Sequence, residues 1–258
     1  MRKTNVIGIM GAMPEEISGI TQLLEDVSMD TFGQREYFSG WFKGQKFVVV
    51  FSRWGKVAAA TTVTALIHEY GVTEVLFTGV AGAIHPALKI GDVVVGKRFI
   101  QHDLDGQPLM QKFEIPLLNQ TYLVSDPEKL QKAKQAVEVV LEDSKLHALI
   151  SDQNLERFGI QKPKLFVGDI ASGDQFISTD VAREIIVKGL PGVLCVEMEG
   201  ASVAQVCFEY GIPLTVIRTI SDEANASSGI DFPEFIKSIS SMYSVAFVQE
   251  LFQLNELN

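Results

Sequence analysis

Apolar residues along this chain fall into short runs rich in β-branched types, separated by longer stretches in which apolar positions recur with a helical period. The runs VIGIM from Val6, FVVVF from Phe47, VLFTG from Val75, DVVVG from Asp92, KLFVGDIAS from Lys164, VLCVEM from Val193 and LTVIRTI from Leu214 predict strands. Several are apolar throughout instead of alternating, which predicts a sheet covered by helices on both faces. Helices are expected to begin at Pro14, Lys56, Asp126, Thr179, Glu199 and Phe232. The Asp126-Pro127 start is the best marked, with an N-cap side chain followed by a proline that needs no amide hydrogen. The alternation of the two element types predicts parallel strands joined by crossover helices. Residues 102–125 have no steady period and are expected to form an ordered loop or short strands near the site.

Composition narrows the class. A chain of 258 residues with 47 % apolar content can bury a sizeable core as one domain, taken here as residues 1–258. No apolar run approaches the roughly 18 residues of a membrane span. The basic start at Arg2 and Lys3 precedes only a short apolar run, VIGIM, so it reads as a first strand and not as a secretory signal. The formal charge of −10, with basic residues scattered among carboxylates, argues against a nucleic-acid partner and for a small ligand. Cys195 lies in a strand-like run and Cys207 in a helix-like one, without metal-ligand spacing. Both are expected to be small buried hydrophobes in a reducing cytoplasm; a nucleophilic role finds no histidine nearby in sequence.

In parallel α/β sheets ligands gather beyond the carboxyl ends of the strands, so polar residues there are the candidates for chemistry. Glu15 and Glu16 open the first helix. Glu15 is expected to complement the helix dipole, whereas for Glu16 a dipole role and a functional one stand even. Thr78-Gly79-Val80-Ala81-Gly82 offers either a tight strand-to-helix turn or close approach of a ligand to backbone amides. Glu197 and Glu199 flank Met198 at the end of an apolar strand, a costly place for charge without a partner. Arg218 and Asp222 close the last strand, where an ion pair with a helix cap is the plainer reading. Phe176, beside the turn at Gly173, suits either a core position or a stacking platform. His102 with Asp103 and Asp105 could suggest a metal pair, but no further His lies at useful spacing to complete a ligand set, so no metal site is expected. No G-x-S-x-G elbow of a serine hydrolase occurs.

Taken in order, GAMPEE at Gly11, SRWGKVAAA at Ser52, TGVAG at Thr78, HDLD at His102, SGDQFI at Ser172, VEMEGA at Val196 and RTISDEA at Arg218 resemble the 5'-methylthioadenosine/S-adenosylhomocysteine nucleosidases, a branch of the nucleoside phosphorylase superfamily. The resemblance spans nearly the whole chain. It implies an α/β domain with a twisted, mostly parallel, mixed and barrel-like central sheet flanked by helices. It also implies a cytoplasmic homodimer, a small-molecule nucleoside substrate and no cofactor. Glu16 would be the general base acting on water, and Asp222 the general acid that protonates adenine N7. Phe176 would stack on the base while backbone around Ile177 reads its edge. Met198 and Glu199 would hold the ribose, with Val80, Ala81 and Gly82 beside it. Ser221 would position Asp222, and Arg218 would order water and carboxylates. Met13, Trp54 and Phe232 would line the pocket for the 5' substituent.

Glycosidic cleavage explains these residue types, because departure of the base leaves an oxocarbenium-like sugar. One group must neutralise the leaving base while another supplies water from the opposite face. Phosphorylases of the superfamily need cations for phosphate, typically an Arg after the first strand, where this chain has GAMPEE; hydrolysis is favoured over phosphorolysis. Hydrolysis of 6-amino-6-deoxyfutalosine, performed by related enzymes, is the close alternative. The chain departs from the family at Val80, where a Ser is common, and at Trp54, where a smaller aliphatic is common. The segment after Asp105 lacks the usual FGY and GQxPG signature, which often reaches the 5' pocket across a dimer interface.

Overall fold

The computed structural model describes residues 5–224 and 231–253, so the outermost residues of the expected 1–258 domain lie outside it. In chain order the strands are β1 (Val6–Gly11), β2 (Glu25–Phe32), β3 (Arg35–Phe42), β4 (Gln45–Phe51), β5 (Glu74–Ala83), β6 (Val93–Gln101), β7 (Leu123–Val124), β8 (Leu165–Ser172), β9 (Val193–Glu197) and β10 (Leu214–Asp222). The helices are α1 (Pro14–Thr21), α2 (Lys56–His68), α3 (Pro127–Val140), α4 (Asp143–Leu149), α5 (Asp152–Arg157), α6 (Asp180–Gly189), α7 (Gly200–Tyr210), α8 (Phe232–Phe235) and α9 (Ser241–Gln253), with a π-helical turn, Ile236–Ser240, joining the last two.

All strands belong to one sheet in the order β10-β6-β8-β9-β5-β1-β4-β3-β2, with β7 beside β6. Because β10 also pairs with β5, the strands β5, β10, β6, β8 and β9 close into a ring. Pairing is parallel through β4-β1-β5-β10 and through β6-β8-β9, and antiparallel where those blocks meet and in the β2-β3-β4 hairpins. A mixed, barrel-like sheet is therefore what the chain forms.

The apolar-throughout runs lie buried on both faces, as their composition predicts. On β4, Val48 and Val50 join Val63, Leu66, Val203 and Ala204 beneath α2 and α7, while Val49 joins Ile17, Leu76 and Phe247 beneath α1 and α9. At roughly 1.5–3 kcal/mol for a fully buried Val, Leu, Ile or Phe side chain, these two layers carry most of the driving force for folding. Each expected helix start lies at an N-cap or first helical residue; Asp126, for instance, accepts from the amides of Glu128 and Lys129 at 2.9 Å. The elements not foreseen are β2, β3, α4 and α5, while β7 is one short strand of the kind allowed for residues 102–125. Residues 102–122 are turns with one isolated bridge between Ile115 and Gln120.

Candidate active site

The carboxyl ends of β1, β4, β5, β8, β9 and β10 converge on a cavity of about 320 Å³. Its wall comes from Ala12 and Met13 after β1, Trp54 after β4, Val80–Gly82 on β5, Gln175–Ile177 after β8, Val196–Glu199 around the end of β9, Ser221–Asp222 on β10, and Phe232 of α8. The sequence-predicted residues thus come together, with two exceptions that lie just behind the wall, Glu16 and Arg218.

Glu16 is wholly buried at the third position of α1. Its Oε2 accepts from the amides of Ala12 at 3.1 Å and Met13 at 3.0 Å, and its Oε1 accepts from Ser240 Oγ at 2.6 Å. Burial pushes its pKa up to about 7, against the opposing pull of the Ser240 hydroxyl, the Arg218 charge and the two amides. A carboxyl group in that range can both give and take a proton near neutrality. Glu15, by contrast, points to solvent, as a dipole partner would.

Arg218 corrects a sequence expectation. It does not pair with Asp222; its Nη2 lies 2.7 Å from Glu197 Oε2, its Nε 3.3 Å from the same oxygen, and its plane sits 4.1 Å over the Phe77 ring. Glu197 also accepts from the Ser172 hydroxyl and from the amides of Glu199 and Gly200 at the start of α7. The apparently costly charge at the end of β9 is satisfied by a guanidinium and a helix N-terminus. Glu197, marked from sequence only as a costly charge, and Ser172, not singled out, form this support.

Glu199 faces the cavity. Its Oε1 accepts from the Gly55 amide at 2.9 Å, and burial together with the nearby Glu197 charge raises its pKa. Asp222 Oδ1 accepts from the Ala224 amide at 2.8 Å, and its Oδ2 lies 2.8 Å from Ser221 Oγ. Ser221 Oγ is also 3.5 Å from the Ala81 carbonyl, so the hydroxyl can donate to an ionised carboxylate or accept from a protonated one.

The Thr78–Gly82 segment is strand, not a turn. β5 continues to Ala83, with Val80, Ala81 and Gly82 paired to Thr219, Ile220 and Asp222. Ser221 is the extra residue of a bulge between Ile220 and Asp222, a distortion that re-aims side chains at strand ends. A Cβ at Gly82 would lie 2.9 Å from Asp222 Oδ1, so only glycine lets the two strands close here.

Phe176 is not core: it is 52 % exposed on the cavity mouth, edge-on to Phe232 with centroids 6.3 Å apart. Trp54 is 64 % exposed, and its Nε1 donates to the Ala12 carbonyl at 3.0 Å. Ile177 and Met198 complete the wall between them. Residues 102–125 supply no part of the wall within this chain. Their contribution is indirect: Asp103 accepts from Lys56 Nζ at 2.6 Å and from the Asp174 amide at 2.8 Å, while Asp174 accepts from the Lys56 amide at 2.8 Å. His102 is half-buried against Gly173, and that burial lowers its pKa. Burial also pushes both thiols, Cys195 and Cys207, upward, which removes them as nucleophiles.

Residues 6–252 match the model of the phosphorylase superfamily. The chain is 36 % identical to the aminodeoxyfutalosine nucleosidase of Helicobacter pylori strain J99, over 95 % of this chain and 97 % of that one. It is 33 % identical to the 5'-methylthioadenosine/S-adenosylhomocysteine nucleosidase of Shewanella denitrificans, over 95 % of this chain and 99 % of that one. The crystal structure of the latter kind of nucleosidase from Neisseria meningitidis, in complex with methylthio-immucillin-A, superposes with a TM-score of 0.83 at 29 % identity, covering 97 % of this chain and 99 % of that one.

Proposed function

Since the chain belongs to the phosphorylase superfamily, and within it to the nucleosidase branch, we propose that it hydrolyses the N-glycosidic bond of 5'-methylthioadenosine and S-adenosylhomocysteine. The observation that carries this reading is the charge of the cavity. Glu199 and Asp222 face it, Glu16 lies directly behind Ala12 and Met13, and no Arg or Lys lines it among the described residues. A phosphorolytic site would need cations for phosphate, whereas water needs only an acid and a base on opposite faces of the sugar.

In this mechanism Phe176 stacks on adenine, and Glu199 accepts from the ribose hydroxyls beside Met198. The bond from C1' to the base breaks with its electron pair going to adenine, which takes a proton at N7 from Asp222. Water adds to C1' and loses a proton to Glu16. Ser221 holds Asp222 whichever protonation state it is in. Met13, Trp54 and Phe232 receive the 5' thio substituent. This reading requires no cofactor or metal.

A second reading, hydrolysis of 6-amino-6-deoxyfutalosine, is favoured by the 36 % identity to the Helicobacter enzyme. It needs the same acid, base and ribose clamp and differs only at the 5' group. The deciding experiment incubates the protein with methylthioadenosine, adenosylhomocysteine, aminodeoxyfutalosine and inosine, with and without phosphate, and follows free base. Phosphate-independent release of adenine from the first two supports the proposal, and a phosphate requirement overturns it.

We further infer a cytoplasmic homodimer acting in methionine salvage. Support for the dimer comes from exposed apolar side chains beside and beyond the cavity mouth, Trp54 and Val57 on one side and Leu109 and Leu117 in the 102–125 segment. That segment supplies no part of the active-site cavity in its own chain, which leaves it free to serve a partner's site.

A further inference from the structure

We propose that Ser240 is a positioning residue for Glu16: presented by the π-helical turn, its hydroxyl fixes one carboxylate oxygen and favours the ionised form that takes a proton from water. This rests on reading Glu16 as the general base.

The four serines around the π turn behave in two ways. Ser238 Oγ donates to the Glu234 carbonyl at 2.7 Å and Ser241 Oγ to the Lys237 carbonyl at 2.6 Å, the usual bonding of a helical serine to the preceding turn. Ser240 and Ser244 instead reach across the interface. Ser240 Oγ donates to Glu16 Oε1 at 2.6 Å, and Ser244 Oγ lies 2.8 Å from Thr78 Oγ1 on β5. Both are buried, and four residues apart they share one helix face. A π turn carries one residue more than an α turn and so rotates the side chains beyond it around the helix axis. Here it ends at Ser240, the residue that meets Glu16.

Glu16 is the third residue of α1, and the amides of Ala12 and Met13 engage only its Oε2. Ser240 is its one side-chain donor among the described residues. Ser221 can turn its hydrogen to the Ala81 carbonyl, but the buried Ser240 hydroxyl has no acceptor besides Glu16 among the described residues, so protonation at Oε1 would strand its hydrogen and the bond opposes it. Of the charged and titratable groups on neighbouring elements, Arg218 of β10 is the one whose charge acts on Glu16. β1 carries none, and Lys46 of β4 pairs with Val6 at the far end of its strand. Glu15 and Lys237 are exposed, and Tyr243 and Glu250 lie further along α9.

The test compares kcat/KM against pH, between about pH 5 and 10, for wild type, Ser240→Ala and Ser240→Cys with methylthioadenosine, alongside thermal stability and adenine affinity. A hydrogen bond to a charged group is worth about one to two pKa units. Ser240→Ala should therefore move the acidic limb up by about one to two pH units. Near pH 6 that is a loss of about ten- to a hundred-fold, recovered towards pH 9, with kcat changed more than KM. Ser240→Cys, a weaker donor of similar volume, should fall between, and it carries the comparison if the alanine variant does not fold. A limb that coincides with wild type, or a loss equal at every pH, overturns the proposal while leaving the nucleosidase reading intact. Absence of cleavage by wild type, or full activity of Glu16→Gln, takes both down.

Discussion

Arg218 and Glu197 form an ion pair at 2.7 Å with both side chains out of reach of solvent, on strands that carry the two ends of the candidate site. Breaking such a pair strands a charge, which costs far more than the pair itself contributes. Arg218→Met should lower unfolding free energy by about 3–5 kcal/mol, measured by urea denaturation. A loss under about 1 kcal/mol would mean Glu197 finds other support in the α7 amides.

Glu16→Gln should leave adenine affinity and folding in place while lowering turnover by about two to four decades, the range for a lost general base. Steady-state kinetics with methylthioadenosine decide it. Glu15→Gln serves as the comparison and should change little, because that side chain points into solvent.

The pKa of Glu16, raised to about 7, also links stability to pH. Folding raises it above the unfolded value, so between about 4.5 and 7 the native state binds more protons than the unfolded one. The associated stability is complete below about 4.5 and lost as pH rises through about 7. Gln mimics the protonated form, so Glu16→Gln should gain stability relative to wild type across that window. Denaturation series at pH 5 and pH 8 measure the difference, and a constant offset would contradict it.

Phe176→Ala should weaken adenine binding by about 1–3 kcal/mol, the worth of one base–aromatic stack, with melting temperature nearly unchanged because the ring is half exposed. Calorimetric titration with adenine checks this. An unaltered affinity would remove Phe176 from the site.

Asp222→Asn should abolish most turnover yet keep ribose contacts through Glu199. The sharper test leaves the protein alone. A substrate analogue with carbon in place of N7 cannot take the proton from Asp222, so it should bind and resist cleavage. Hydrolysis near the parent rate would end the acid role.

The buried strands were legible because their two-sided burial writes itself as unbroken β-branched runs, as in Phe47–Phe51. β2 was not, because its whole length, Glu25–Phe32, is exposed and its composition polar. One local signal was there to read: Gly33 and Gly44 stand in the two-residue turns β2-β3 and β3-β4, where the structure shows positive φ at Gly33, Gln34, Lys43 and Gly44. At the site, position at strand ends marked Glu16, Glu199 and Asp222 as candidates, and the roles proposed for them came from the resemblance. Partner choice did not, since Arg218 sits four residues from Asp222 yet turns to Glu197 on another strand. Ser240 was invisible for the same reason; its meaning lies 224 residues away.

The ties among Lys56, Asp103 and Asp174 bear on how the cavity mouth is held together. Lys56 adjoins Gly55, whose amide holds Glu199, and Asp174 lies two residues before Phe176. The loop that carries Gly55 and the loop that carries Phe176 are therefore fastened to each other. Moving one without the other would rupture the partly buried contact of Lys56 with Asp103. In the proposed reaction, the two sides of the mouth are thus tied by charge and not by apolar packing alone.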